Sequence, residues 1–414
     1  MSDTASLAPH LPDWPPDWPR APDGELLVGG RKLSRIVASV GATPCYLYDR
    51  AKIAATVRAL RARLDAAIRL HYAIKANPMP AVVGQLATLT DGLDVASLGE
   101  MRVALDAGVT PANIGFAGPG KTDHELACAH AAGVVINVES FREIAVLGRL
   151  SAVQGHAARV ALRVNLAFAL HAAGMRMSGG PRPFGIDAEQ VDEAMQSIAA
   201  HGLAFEGFHL FAGSQCLRAE AIIEAQCRSY DCALGWAARA PAPVRRITLG
   251  GGFGIPYAAR DRRLDVGKVC DNLNRLAQRA CADLPGAELT IELGRYLVGE
   301  AGLFVTRVID RKVSRGRTYL IVDGGLNHHL AATGNLGQVV RRNYPVAVNG
   351  APECCEMVDI VGPLCTPLDM LAEQVDLGRA KIGDLIVIFQ SGAYGRTASP
   401  SRFLGHPEAL EALI

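Results

Sequence analysis

The chain has 414 residues, half of them hydrophobic and a fifth charged, which is enough for two or three domains and a sizeable buried core. Its 42 Lys and Arg against 41 Asp and Glu leave a formal net charge of +1, so there is no electrostatic reason to expect nucleic acid or an anionic membrane as a partner. No apolar run reaches the ~18 residues of a spanning helix, and no membrane segment is expected.

In chain order, residues 1–24 (MSDTASLAPHLPDWPPDWPRAPDG) lack the basic start and apolar stretch of a secretory signal. They read as a Pro/Trp-rich arm, either loose or docked on a partner, and a cytoplasmic location is expected. Residues 25–44, with ELLVGGRKLSRIVASVG, form a segment able to join a β-domain. From 45 to 290, short apolar strands alternate with helical patterns. The strands are CYLYD (45–49), RLHYAIKAN (69–77), GLDVAS (92–97), NIGFAG (113–118), VVINVES (134–140), RVALRVNL (159–166), EGFHLFAG (206–213) and RRITLGGG (245–252). Between them, segments such as AATVRALRARLDAAI (54–68) and FREIAVLGRL (141–150) repeat apolar residues three and four apart.

This alternation, with repeats of about 30 residues, predicts an α/β fold: a (β/α)8 barrel with its chemistry at the C-terminal ends of the strands. An open doubly wound sheet is the alternative, but the G-x-G-x-x-G it wants after the first strand is absent. Over 291–414 the texture turns to β. GLFVTRVIDRKVSRGRTYLIVDGG (302–325) has a turn at SRG, and DLIVIFQSGAY (384–394) is a strand followed by a glycine turn, which predicts a C-terminal β-domain. The ten cysteines fit no zinc spacing and are expected as free thiols in a reducing compartment. His328 and His329 are adjacent and diverge on either a strand or a helix, so no metal site is expected there.

Several residues could carry chemistry, and each has an ordinary alternative. Lys75 ends an apolar strand ahead of Asn and two prolines, where a desolvated amine can attack an aldehyde; alone, such a lysine is more often a solvated terminus. Asp94 ends the next strand and could neighbour it in a simple salt bridge. LGGGFGIPY (249–257) has three consecutive glycines, Gly250, Gly251 and Gly252, whose bare N–H groups can wrap a phosphate or merely form a flexible turn. In IELGRYL (291–297), Glu292 could hold a pyridine nitrogen protonated and Arg295 could bind an anion, or the two could form an exposed ion pair. VGPLCTPLDML (361–371) sets Cys365 in a Pro-broken loop, where it could equally be a buried thiol. Tyr394 lies in a Gly-flanked turn, as a phosphate ligand or a surface tyrosine.

In this order and spacing, YAIKAN, LDVASLGE, GFHLFAGSQ, LGGGFGIPY, ELGRYLVGEAG, VGPLC and SGAYG resemble the fold-type III pyridoxal-phosphate decarboxylases, the group of the diaminopimelate and ornithine decarboxylases. The resemblance spans roughly residues 25–408. It implies an alanine racemase-like barrel and β-domain with pyridoxal 5'-phosphate as cofactor. Lys75 would form the imine link to the cofactor and Glu292 would bond the pyridinium nitrogen. Gly250, Gly251, Gly252, Ser214, Arg295 and Tyr394 would hold the phosphate, and Asp94 and Arg163 would order the lysine and ring. Cys365 would reach across a head-to-tail homodimer into the neighbouring site, where it, or a water it positions, would protonate the α-carbon.

The departures concern the ring and the substrate. Where the characterised enzymes stack a histidine on the cofactor, this chain has Phe211, which can stack but cannot donate a proton. His209, two residues earlier, is on the same strand face and could partly substitute. Cys-Thr-Pro replaces the Cys-Glu-Ser that contacts the distal amine of diaminopimelate, and the Arg and Tyr for its distal carboxylate are missing from 323–338. Without those partners the chain is not expected to take diaminopimelate, and no acidic partner for ornithine stands out either. DGGLNHHLAATGN, RRNYPV, PLCTPLD and SPSRFLGHP instead resemble the subgroup associated with exosortase A and exopolysaccharide gene clusters, some relatives of which act on amino acids tethered to an acyl carrier protein.

The expected activity is decarboxylation of an L-amino acid or amino-acid derivative, free or carrier-tethered. One rival is an amino-acid racemase of the same fold, which would pair Arg rather than Glu with the ring nitrogen. The other is a non-catalytic cofactor-binding regulator, against which the intact Lys75, Glu292 and Cys365 argue.

Overall fold

The structure, a computed structural model, describes residues 18–170, 173–258, 260–336, 341–350 and 354–414. The chain forms two compact units. One comprises residues 54–255 and 262–297; the other comprises the residues up to Ile53 together with 256–261 and 298–414.

In chain order the strands are β1 (Cys45–Tyr48), then β2 (Ile68–Ala73), β3 (Gly92–Val95), β4 (Ile114–Phe116), β5 (Val135–Val138), β6 (Arg159–Asn165), β7 (Ala204–Leu210), β8 (Arg246–Gly251) and β9 (Glu288–Leu293). Strands β2 to β9 pair in parallel in that order, and β9 returns to β2 with Leu289 opposite Ile68 and Glu292 opposite His71, closing an eight-stranded barrel. Covered on both faces, these strands are buried at successive positions, as over Val135–Val138, rather than at alternate ones. Three successive helices begin with the same Ser/Thr-x-x-Glu signal. Ser97, Thr122 and Ser140 each accept the backbone N–H of a glutamate three residues on, which caps the helix and fixes the loop leaving a strand end.

The observed barrel corrects the predicted frame by one strand. CYLYD is not its first strand. β1 instead runs antiparallel to Gly302–Val305, and the eighth barrel strand is β9, after the helix Val266–Asp283. All four β1 side chains are buried, so the apolar pattern says that the strand is internal but not which sheet takes it.

The second unit continues with β10 (Gly302–Ser314), β11 (Arg317–Val322), β12 (Val346–Val348), β13 (Cys355–Val361), β14 (Met370–Gly378), β15 (Leu385–Ile388) and β16 (Leu410–Leu413). The sheet order is β12-β15-β10-β11-β13-β14, with β1 against β10 and β16 beside β1. The turn predicted at SRG joins β10 to β11 through Arg315 (φ 48°) and Gly316 (φ 83°), the two positive φ values that a tight hairpin needs. Helix Leu33–Val40 lays Leu33, Ile36 and Val37 into a core with Leu47, Leu303, Val387 and Phe389. Among the described residues, no helix is long and apolar enough to cross a membrane.

Residues 1–17 of the Pro/Trp-rich arm lie outside the described residues. The remainder is not loose: Trp18 is 2% exposed in this core, 6.2 Å from Phe389 between ring centroids, with the Lys52 Nζ 4.5 Å from its ring. Trp18→Ala is expected to cost about 3–5 kcal/mol through the lost burial and the cavity left behind. Urea unfolding with an unchanged midpoint would show that the anchor contributes nothing.

Candidate active site

Strand β2 runs into a single 3-10 turn, Ile74–Ala76, which buries Ile74 and Ala76 and leaves Lys75 exposed at the C-terminal end of the strand. The turn is held from below by the Tyr72 hydroxyl, which donates to the Asn77 carbonyl at 2.9 Å. Asn77 Oδ1 accepts the Met79 N–H at 3.1 Å, and Pro80 then starts the next helix. The lysine is therefore presented by a turn that its neighbours hold. Its Nζ lies 5.7 Å from the centroid of the half-buried Phe211 ring, just beyond the end of β7.

Below this rim the barrel carries a polar layer where branched apolar residues are usual. Alternate strands β3, β5, β7 and β9 supply Asp94, Asn137, His209 and Glu292. His209 Nε2 is 2.8 Å from Glu292 Oε1, and His71 Nδ1 is 3.3 Å from Asp94 Oδ1. Glycines make the room: a Cβ at Gly115 would sit 2.5 Å from Asp94 Oδ1, and one at Gly92 would sit 2.5 Å from His71 Nε2. Burial opposes ionisation of Glu292, but His209, its hydrogen bond and the charge of Lys75 outweigh it and hold the carboxyl at about 2. Asp94 is pushed the other way, by burial and then by the charge of Glu292. Two carboxyls in one layer are thus driven apart, Glu292 downward and Asp94 upward. The expected neighbour of Lys75, Asp94, pairs with His71 instead.

The glycine run ends β8. Gly250 (φ 64°) and Gly252 (φ 75°) occupy the left-handed region, and added Cβ atoms would meet Phe211 Cδ2 at 2.5 Å and the Gly213 carbonyl at 2.3 Å. A Cβ at Gly251 would meet the Glu292 carbonyl at 2.1 Å. The backbone is therefore drawn tight against the segment carrying Ser214. Gln215 closes the seam, donating to the Ile255 carbonyl at 2.6 Å and accepting the Ile255 N–H at 3.1 Å. The one sign of Gln215 in the sequence is its place in GSQ, directly after Ser214. Arg295 opens the short helix that follows β9.

Arg163 has a partner that the sequence did not suggest. Its Nη1 lies 2.7 Å from Glu139 Oε1, and its guanidinium sits 5.2 Å from the Phe184 ring centroid. Glu139 also accepts the Gly185 N–H, while Lys121, buried beside it, pairs with Glu143 at 3.2 Å. Burial raises the Glu139 carboxyl, but Arg163 and Lys121 prevail and keep it below its ordinary range. The one available sign was Glu139 directly before the Ser140-x-x-Glu143 helix start.

All the nominated residues except Cys365 and Tyr394 fall in the barrel unit; those two belong to the β-unit. Cys365 is exposed, on a loop pinned by the buried Asp369, whose carboxylate accepts the Leu326 and Leu364 N–H groups at 2.5 and 2.7 Å. Tyr394 is half-buried with φ 54°. His328 and His329 tie loops together, reaching the Pro407 carbonyl at 2.8 Å and the Ser391 hydroxyl at 2.9 Å.

A closed parallel barrel with an amine on its rim and a carboxylate in the layer below is the arrangement of an enzyme built around an aldehyde cofactor. The family model for the pyridoxal-dependent decarboxylase, pyridoxal binding domain, matches residues 50–299, and the chain belongs to this family. It is 38% identical over 379 residues to the L-glutamyl-[BtrI acyl-carrier protein] decarboxylase of Niallia circulans, covering 90% of this chain and 88% of that one. It is 31% identical to the 2-[(L-alanin-3-ylcarbamoyl)methyl]-2-hydroxybutanedioate decarboxylase of Staphylococcus aureus, over 87% of this chain and 92% of that one. The crystal structure of diaminopimelate decarboxylase from Helicobacter pylori complexed with L-lysine superposes with a TM-score of 0.82 at 26% identity, over 92% and 94% of the two chains. The chain is thus a pyridoxal-phosphate-dependent amino-acid decarboxylase.

The residues present fit that cofactor. The glycine seam leaves bare backbone where an anion can approach. Within the polar layer, His209 Nδ1 and Asp94 Oδ2 are buried with no hydrogen-bond partner among the described residues, as in a site built to receive another polar group.

Proposed function

We propose that this enzyme decarboxylates an α-amino acid carried on an acyl carrier protein as a thioester of its side-chain carboxyl, which leaves the α-carboxylate free to depart. The observation that supports decarboxylation over racemisation is the buried anion of Glu292, which can hold a proton on a pyridine nitrogen where an arginine could not. When bound, pyridoxal phosphate supplies an aldehyde that takes up an amine and a protonated ring that draws electrons from the breaking bond between the α-carbon and its carboxylate.

The chain's own residues do the rest. Lys75 offers the amine that anchors the cofactor and is released when substrate arrives. Glu292 would accept the ring N–H, Phe211 would offer the ring an apolar surface, and Asp94 and Arg163 would order the surroundings. Gly250, Gly251, Gly252, Ser214, Arg295 and Tyr394 would hold the phosphate. Carbon dioxide leaves the α-carbon, and a proton from Cys365 of a second copy takes its place. Cys365→Ala is expected to slow turnover by about 10²–10⁴-fold while leaving the bound cofactor's absorbance intact. Mixing that variant with a Lys75 variant should restore activity through hybrid dimers; sedimentation showing only monomers overturns the shared site.

Support for a tethered substrate is twofold. The Niallia relative acts on a glutamyl carrier protein. Thr366 and Pro367 stand beside Cys365 where charge-pairing residues would grip a free diamino acid, so recognition falls to the tether. The subgroup motifs support a place in an exopolysaccharide or exosortase-associated pathway. Given L-glutamate free or as a carrier-protein thioester of its side-chain carboxyl, the enzyme is expected to release carbon dioxide at least about 10²-fold faster from the thioester. Equal rates would sink the tethered reading.

A further inference from the structure

His209 is 2% exposed, and its Nε2 meets Glu292 Oε1 at 2.8 Å. Its other nitrogen, Nδ1, is buried without a partner among the described residues. The ionised carboxylate of Glu292 can only accept, so the imidazole Nε2 carries the proton of this hydrogen bond and donates it to Glu292. The sequence adds a second observation. Phe211, two residues on, has no proton to offer the ring, so the hydrogen-bonding group of this strand end is placed behind the carboxylate instead of against the cofactor face.

We infer that His209 is a positioning residue that acts on the cofactor only through Glu292: its Nε2–H holds one carboxylate oxygen and keeps the group anionic, leaving the other oxygen to accept the ring N–H. The inference rests on the proposed role of Glu292. The charged or titratable groups facing Glu292 are His209 on β7, His71 on β2, Lys75 on the turn after β2, and Asp94 on β3. Of these, His209 is the one that hydrogen-bonds to it among the described residues. Asp94, the one like charge, is engaged by His71, which keeps the two carboxyls from competing for the same donor.

The test compares His209→Leu, which removes the donor, with His209→Gln, whose amide N–H can replace it. In the cofactor-loaded enzyme, His209→Leu is expected to lower kcat by about tenfold or more, with KM within about twofold. It is also expected to raise the midpoint of the bound cofactor's absorbance titration with pH, because a ring less positively charged holds the proton of its lysine link more tightly. His209→Gln should restore most of both. In the cofactor-free protein, His209→Leu should weaken the loss of stability between pH 5 and 3, since Glu292 no longer resists protonation. If His209→Leu does not fold, His209→Asn, too short to reach Glu292, takes its place.

An unshifted titration in the Leu variant overturns the inference, and so does a Gln variant as impaired as Leu, which would assign the effect to packing. Glu292→Gln separates the two levels. If it too leaves the titration unchanged, the reading of Glu292 has failed; if it shifts the titration and His209→Leu does not, only the inference has failed.

Discussion

Replacing Lys75 by Ala is expected to abolish the absorbance of covalently held cofactor and to cut carbon dioxide release by on the order of 10⁴-fold or more. The amine makes the covalent attachment, and no neighbouring lysine takes its place on this turn. The fold should be indifferent to the change. Lys75 is exposed while Ile74 and Ala76 hold the turn, so unfolding should shift by no more than ~0.5 kcal/mol. The measurement is an absorbance spectrum before and after borohydride, with the reduced adduct mapped by peptide mass. An adduct on another lysine, or a variant that keeps both band and turnover, refutes the assignment.

Glu292→Gln is the second large effect. The amide keeps the shape and can still accept from His209, but it cannot balance a pyridinium charge. A loss of about 10²–10³-fold in kcat is expected from removing this preorganised charge.

The same substitution has a signature in the cofactor-free protein. The carboxyl is held at about 2 in the folded state against an ordinary 4.5. A carboxyl whose folded value is depressed contributes stability above its unfolded value and loses it as pH falls toward the folded one. The wild-type protein should therefore shed this contribution between pH 4.5 and about 2, and the Gln variant should lack that component of the slope. Urea midpoints at pH 5.5 and pH 3 measure it. Parallel slopes in the two proteins would mean that Glu292 is not the buried anion.

Much of this molecule is readable before any coordinates. The barrel follows from apolar strands spaced by capped helices, and Ser97, Thr122 and Ser140 announce their helix starts with a glutamate three residues later. The lysine turn is written in Asn77 and Pro80. The SRG hairpin is set by Gly316, because few other residues accept its φ of 83°. These features are local: a few neighbouring side chains and the backbone decide them.

Other features depend on strands far apart in sequence. β1 carries a run as apolar as any barrel strand, yet it joins β10, because burial on both faces erases the alternation that would reveal its partner. Trp18 lies among prolines and reads as part of an arm, but its ring fills the core beside Phe389. His209 and Glu292 are 83 positions apart, as are no two residues of one motif. Only barrel closure, with β7 and β9 pointing side chains into the same layer, makes them a pair. The same closure gives Arg163 to Glu139 and Asp94 to His71. The sequence by itself determined which side chains of this protein could carry chemistry and on which turns they stand. Tertiary structure decided which of them share a proton, because in a low-dielectric interior that depends on separations of about 3 Å that chain distance does not encode.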